Sequence, residues 1–315
     1  MKVVAFDEFG PASNLRVVEH RKPSCDSEEV LIKTRAVSVN PVDVKTRQGG
    51  ALASKLRAHL PLVLGWDIAG DVVEVGSNVR DRFTEGDAVF GMICFPNPPN
   101  GYAEYVAAPA SDITLVPTGI SYEAAAASTL AALTAWQAFT HFGHLRSGDT
   151  VLIHAASGGV GHFAVQIAKH LGANVIATSS GRNKAFVESL GADQHLDYKS
   201  VNFEETLSDI DFCLETQGGK HFERTVKVMR RGGTIVNLPS GLEEDAKNAA
   251  DTKKLQVNYF MNVFPSGNDM SELANLLGDG VITPHVSKVF DLSETASAHE
   301  QIETGRTVGK IVIRP

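Results

Sequence analysis

Hydrophobic and polar positions change rhythm along this chain. In the first third, short runs with near-alternating polarity recur: KVVAF from Lys2, VLIKTRAVSV from Val30, IAGDVVEVG from Ile68, DAVFGM from Asp87 and YAEYVAA from Tyr102, separated by Gly, Pro, Asn and Asp. Period-two patterning with close turn signals predicts a mainly antiparallel, barrel-like domain. Near Pro117 the texture changes. SYEAAAASTLAALTAWQAFTHFG, from Ser121 to Gly143, predicts one long helix, with Ser121 as N-cap and Gly143 just past its end.

From Thr150 onward, continuous apolar runs alternate with amphipathic stretches. TVLIHA is a buried strand, and Val160, Ala164, Ile167, Ala168 and Leu171 then share one helical face. NVIAT, DQHLD, IDFCLE, GGTIVNL and VNYFMNV supply further strands, with helices at Arg182–Leu190, Phe222–Met229 and Met270–Leu277. Such alternation is the pattern of an α/β fold with a doubly wound parallel sheet of Rossmann type. The final stretch, from His285 to Pro315, reads strand, helix, strand, and is expected to rejoin the first domain's sheet. The predicted division is residues 1–118 with 265–315 as one domain and 119–264 as the other.

The chain has 315 residues, a formal net charge of −8 and 21% charged residues. Net negative charge argues against nucleic acid or an anionic membrane as partner. No run approaches the ~20 apolar residues of a membrane span, and the N-terminus lacks a signal-peptide core, so a cytoplasmic location is expected. The three cysteines, Cys25, Cys94 and Cys213, are scattered, as reduced thiols are.

The sharpest local signal is the segment VLIHAASGGVGHFAVQIAKHLGANVIATSS. Its core fits A-x-G-x-x-G, with Ala156, Gly158 and Gly161 at the small positions and Ser157, Gly159 and Val160 between them. It follows a buried strand and opens an amphipathic helix, the context in which a helix N-terminus receives a dinucleotide's pyrophosphate. Sites for NAD place Asp or Glu at the end of the second strand. Here that end reads Thr178-Ser179-Ser180-Gly181-Arg182-Asn183-Lys184, with no acidic residue from His162 to Val187. Ser179, Ser180, Arg182 and Lys184 therefore point to a 2′-phosphate and to NADPH.

LPLVLGWDIAGDVVEVG, EGDAVFG, GYAEYV, LAALTAWQAF, the GGVG loop and the terminal GRTVGKIVIRP together resemble the medium-chain dehydrogenase/reductase superfamily over nearly the whole chain. The zinc alcohol dehydrogenases of that superfamily carry a catalytic Cys, a Gly-His-Glu and a four-Cys lobe. This chain has Asn40 in the region of the first, Gly65-Trp66-Asp67 in place of the second and only Cys94 in the short loop from Ile93 to Gly101. Neither zinc set is present, since a catalytic zinc needs about three protein ligands and a structural one four. The resemblance is to the zinc-free quinone oxidoreductase and alkenal/enone reductase branch, with a GroES-like barrel as catalytic domain. Hydride delivery to an already electrophilic quinone or enone is the chemistry it implies.

The segment SVNPVDVKTRQG, from Ser38 to Gly49, resembles the branch's N-P-x-D-x-K-x-R-x-G signature. The resemblance makes Asn40 an amide donor to the substrate carbonyl, Lys45 an aid to enolate stabilisation or protonation and Thr134 a neighbour of the nicotinamide. Asp43 is expected to cap the short helix after Pro41. It also implies cofactor contacts from Tyr198, Thr216, Gly218, Leu238, Pro239, Phe264 and Lys310, whereas Glu215 receives no role. Substrate is expected between the two domains. Two readings stay open for QVNYFMNVF: an edge strand that pairs two subunits into a homodimer, or an internal strand. Two alternatives to a quinone/enone reductase also stay open, an enoyl-thioester reductase and a non-catalytic NADPH-binding protein of the same fold.

Overall fold

A computed structural model describes all 315 residues. The chain divides into two compact units, Met1–Leu133 with Phe264–Pro315, and Thr134–Val263. Residues 119–133 thus cluster with the first unit rather than the second.

In the first unit the strand Glu29–Val39 is the organising element. It pairs antiparallel with Asp67–Val75, Tyr105–Pro109 and Lys310–Arg314. Two register shifts along its pairing with Asp67–Val75 bend it enough to serve all three partners. The seven-stranded sheet runs Val286–Asp291, Lys310–Arg314, Glu29–Val39, Asp67–Val75, Ala88–Met92 and Ile113–Leu115, with Tyr105–Pro109 branching from Glu29–Val39. The C-terminal strand therefore does return to this sheet, and only its pairing with Val286–Asp291 is parallel. Lys2–Phe6 lies instead in a separate three-stranded sheet with Arg16–Glu19 and Leu62–Val63. Val30, Ile32, Ile68, Val89 and Phe90 are among the fully buried side chains of this unit.

The second unit is a six-stranded, wholly parallel sheet in the order Gln194–Asp197, Asn174–Ser179, Thr150–Ile153, Ile210–Glu215, Met229–Asn237, Gln256–Asn258. Strand order reverses between Thr150–Ile153 and Ile210–Glu215, the switch point outside which open α/β sheets bind ligands. Gln256–Asn258 is an edge strand, which decides the open question about that segment's place in the sheet.

The Ala-rich segment is not one helix. Ser121 does cap Tyr122–Ala127, its Oγ accepting from Ala124 N at 3.2 Å. The helix then stops, because two hydroxyls take up its last carbonyls: Ser128 Oγ donates to Ala124 O at 2.8 Å and Thr129 Oγ1 to Ala126 O at 2.9 Å. A second helix, Leu130–Gln137, begins with Leu130 N donating to Asp67 Oδ1 at 3.0 Å, and ends in a π-helical turn, Ala138–Phe142.

Candidate functional site

The glycine loop leaves the strand Thr150–Ile153 through Ala155, which sits in the left-handed region at φ +49°. Ala156 N donates to Thr178 O at 2.9 Å, tying the loop to the neighbouring strand, and Gly158 N donates to Ala155 O at 2.8 Å. Gly158 is the N-cap of Gly159–His170 and supplies no capping side chain. The first-turn N–H groups of this helix therefore face outward past half-exposed Gly158, Gly159 and Val160. A Cβ on Gly161 would lie 2.3 Å from Ala155 O and 2.7 Å from Ala156 Cα, so only glycine lets the helix seat against the loop. One on Gly158 would meet Ala155 O at 3.2 Å. The cradle fits a pyrophosphate, and a side chain at Gly158 would begin to fill it.

At the end of the second strand, Ser179 and Ser180 are buried, and Arg182 and Lys184 are exposed. Lys184 pairs loosely with Glu188 at 3.7 Å, leaving its charge available to a ligand. Asn183 Nδ2 donates to Ser157 Oγ at 2.9 Å, bracing this turn against the glycine loop. Tyr198 follows the third strand and is 56% exposed.

Two residues here were missed from sequence. His195 Nε2 and Ser179 Oγ are 2.8 Å apart, and Asp197 Oδ2 would be 2.5 Å from a Cβ on Gly181. The absence of acids between His162 and Val187 therefore does not hold in space. The third strand pairs Asp197 with Ser179, so its register brings a carboxylate to the turn. The parallel run DQHLD carried that signal.

Thr216, Gly218, Leu238 and Pro239 lie at adjacent strand ends. Thr216 Oγ1 donates to His154 O at 3.2 Å, Leu238 N donates to Glu215 O at 2.9 Å, and a Cβ on Gly218 would lie 3.0 Å from Pro239 Cβ. Thr134 opens this unit as a buried residue of the Leu130–Gln137 helix, and Phe264, 40% exposed, begins the return to the first unit.

In the first unit, Asn40, Asp43, Asp67 and Lys310 form one buried network. Asn40 Nδ2 donates to Asp67 Oδ2 at 2.7 Å and weakly to Ser38 O at 3.5 Å. Lys310 Nζ donates to Asn40 Oδ1 at 2.5 Å and Val39 O at 3.1 Å, and lies 3.7 Å from Asp67. Asp43 accepts from Asn40 N at 2.8 Å and Gly65 N at 3.0 Å, holding the start of the helix Pro41–Arg47 to the Gly65 turn.

Two of the expected site residues are buried in this network. Asn40, 2% exposed, has its amide hydrogen-bonded to Asp67 and Ser38. Lys310, 3% exposed, is the counter-ion of this network. Lys45 is exposed on the same short helix with no ion pair. Arg47 is buried and structural, paired with Glu303 and donating to Gly10 O at 2.8 Å.

Burial governs the charges in this unit. It pushes the Asp43 carboxyl up to about 7, with Asp67 adding to the rise. It raises Asp67 and lowers Lys310, each partly countered by the other's charge. These residues do not fit a zinc ion. An ammonium, Lys310, already neutralises Asp67, Asp43 is taken up by the Asn40 and Gly65 N–H groups, and Trp66, where a His ligand would sit, donates its indole N–H to Asn97 O at 3.0 Å. Cys94 offers no thiolate, since burial pushes its thiol up to about 12.

Residues 26–118 match the model of the alcohol dehydrogenase GroES-like domain, and residues 190–313 that of the zinc-binding dehydrogenase family. The chain is similar to a quinone oxidoreductase structure from Coxiella burnetii, with 36% identity, a TM-score of 0.94 and coverage of 100% of this chain and 99% of that one. It is 33% identical to the 2-methylene-furan-3-one reductase of Solanum lycopersicum, covering 100% of this chain and 79% of the relative. It is 31% identical to the chloroplastic NADPH-dependent alkenal/one oxidoreductase of Arabidopsis thaliana, covering 100% and 80%. With its barrel, its parallel sheet and its glycine loop all in place, the chain belongs to the medium-chain dehydrogenase/reductase superfamily, among the quinone and alkenal/one oxidoreductases.

Proposed function

We propose that the chain is an NADPH-dependent oxidoreductase that reduces quinones or α,β-unsaturated carbonyls without zinc. The observation that carries this reading is the glycine-floored helix start, Gly158–Gly161, set beside a strand end bearing Ser179, Ser180, Arg182 and Lys184. The loop and helix N-terminus hold the pyrophosphate, and the hydroxyls and cations hold the 2′-phosphate. Arg182 and Lys184 must also offset the carboxylate of Asp197, so the preference for the 2′-phosphate rests on two cations against one acid. Bound NADPH supplies a hydride, and the similarity to reductases of quinones and alkenals supports an electrophilic carbon as its acceptor.

The buried Asn40–Lys310–Asp67 network fixes the backbone around Pro41 and the start of the Leu130–Gln137 helix. Lys45, exposed on the neighbouring helix, is the side chain of this segment free to face an anionic product. Solvent supplies the proton to that product. A panel of quinones, short enones and enoyl thioesters, each followed by NADPH oxidation in the presence of a chelator, tests the reading. Turnover of quinones or enones is expected, and turnover of thioesters alone would replace this function with the enoyl-thioester one.

The chain is further proposed to form a homodimer through the free edge of Gln256–Asn258, beside Phe260, which is 55% exposed. Light scattering should return twice 33.7 kDa, and a monomer at all concentrations would refute the pairing.

A further inference from the structure

Glu215 plays no part in the function proposed above, yet it is a fully buried carboxylate at the end of the strand beside the switch point. We infer that Glu215 is a positioning residue for the cofactor, fixing the Thr216–Gly219 turn and locking together the ends of three neighbouring strands. The inference rests on the proposal that this sheet binds NADPH.

The two carboxylate oxygens have separate tasks. Oε1 accepts from Gln217 N at 2.6 Å and Gly218 N at 3.2 Å, so it shapes the turn directly. That turn needs shaping, because Gly218 and Gly219 both lie in the left-handed region, at φ +70° and +53°, where glycine is at its most mobile when unfolded. Oε2 accepts from His221 Nδ1 at 2.9 Å and Thr225 Oγ1 at 2.7 Å, both on the helix Lys220–Val228 that follows. One carboxylate thus holds the turn at its middle and the helix at its first two turns.

The network continues across the sheet with a fixed direction. Thr225 has one hydroxyl proton, and the shorter bond gives it to Glu215. At 3.2 Å from His154 Nε2 the same oxygen must therefore accept, so Nε2 carries the imidazole hydrogen. His154 Nδ1 then accepts from Thr178 Oγ1 at 3.0 Å. The bonds run Thr178 to His154 to Thr225 to Glu215, joining the ends of the strands Asn174–Ser179, Thr150–Ile153 and Ile210–Glu215. Those strands lead into Ser179–Ser180, the glycine loop and the Thr216 turn, the segments assigned above to NADPH. Burial holds His154 neutral, its proton affinity lowered to about 3, as this single-hydrogen scheme requires.

A divalent cation is the competing occupant. One nitrogen each of His154 and His221 and one oxygen of Glu215 lie within 4.8 Å of one another. All three already take part in hydrogen bonds, and an ion would have to break them.

The test uses the full-length chain and its Glu215→Gln, Glu215→Asp and His221→Ala variants. Hydrogen exchange without ligand reads the anchor, NADPH titration and the KM-against-kcat split read its use, and bound zinc is measured after incubation with zinc alone. Glu215→Gln should raise exchange at residues 217–218 and weaken NADPH about tenfold, with KM moving more than kcat. Glu215→Asp should recover part of that loss, and His221→Ala should show a smaller loss in the same direction. Unchanged exchange and affinity in a folded Glu215→Gln variant would overturn the inference. So would one zinc per wild-type chain that is lost in His221→Ala. A wild-type chain that binds no NADPH would overturn the function and this role together, and the exchange data would then show an anchor without a cofactor to position.

Discussion

Asn40 and His154 show how burial, rather than residue type, sets a role. Asn40 was legible as a polar side chain in a recognisable segment. Its letter does not say that Asp67, 27 positions away, and Lys310, 270 away, would use its amide. His154 went unread because a His at a strand end looks like any other. Its consequence is measurable. Its folded pKa is lowered to about 3 from 6.5, so the unfolded chain takes a proton that the folded chain refuses. The stability that neutral His154 contributes is therefore fully present above pH 6.5 and falls as pH drops toward 3. His154→Gln should cost stability at pH 7.5, and that cost should shrink by about 2 kcal/mol between pH 7.5 and 5. Denaturant midpoints at the two pH values check this. An equal cost at both would mean that His154 is not held neutral.

Elements were easier to read than residues, because periodicity reports burial directly. Most strands of the parallel sheet and the glycine-loop helix appear where their apolar patterns place them, but the expected VNYFMNV strand shrinks to Gln256–Asn258, with residues 259–263 outside the sheet. The Ala-rich helix broke for a reason that propensity does not contain. Ser128 and Thr129 turned their hydroxyls onto their own helix, and Asp67 supplied a new start. The glycine loop makes a paired prediction. Gly158 has an ordinary φ of −84° and a Cβ there would meet only Ala155 O, at 3.2 Å. Gly158→Ala should therefore lower the melting temperature far less than Gly161→Ala while weakening NADPH about tenfold, since a side chain there keeps the backbone from the pyrophosphate. Gly161→Ala drives a Cβ onto backbone atoms that cannot yield, so it should cost about 1–3 kcal/mol of stability as well as cofactor affinity. Calorimetry with and without NADPH separates the two. Equal melting temperatures for both variants would show that the helix has room to move.

For the molecule as a whole, the alternation of antiparallel and parallel patterns gave both sheets, and the return of the C-terminal strand to the barrel was legible as well. The place where one compact unit gives way to the next was not, because it falls within the Leu130–Gln137 helix and leaves no mark in composition. Nor was the carboxylate at the second strand's end, because Asp197 reaches it by register rather than by sequence distance. That carboxylate makes the choice of dinucleotide the point on which the account depends. The most direct test is kcat/KM for NADPH against NADH, with one accepted quinone or enone and with chelator present. The account predicts preference for NADPH of about tenfold or more, lost when Arg182 and Lys184 are both replaced by Ala. Equal use of the two, or preference for NADH, would contradict it.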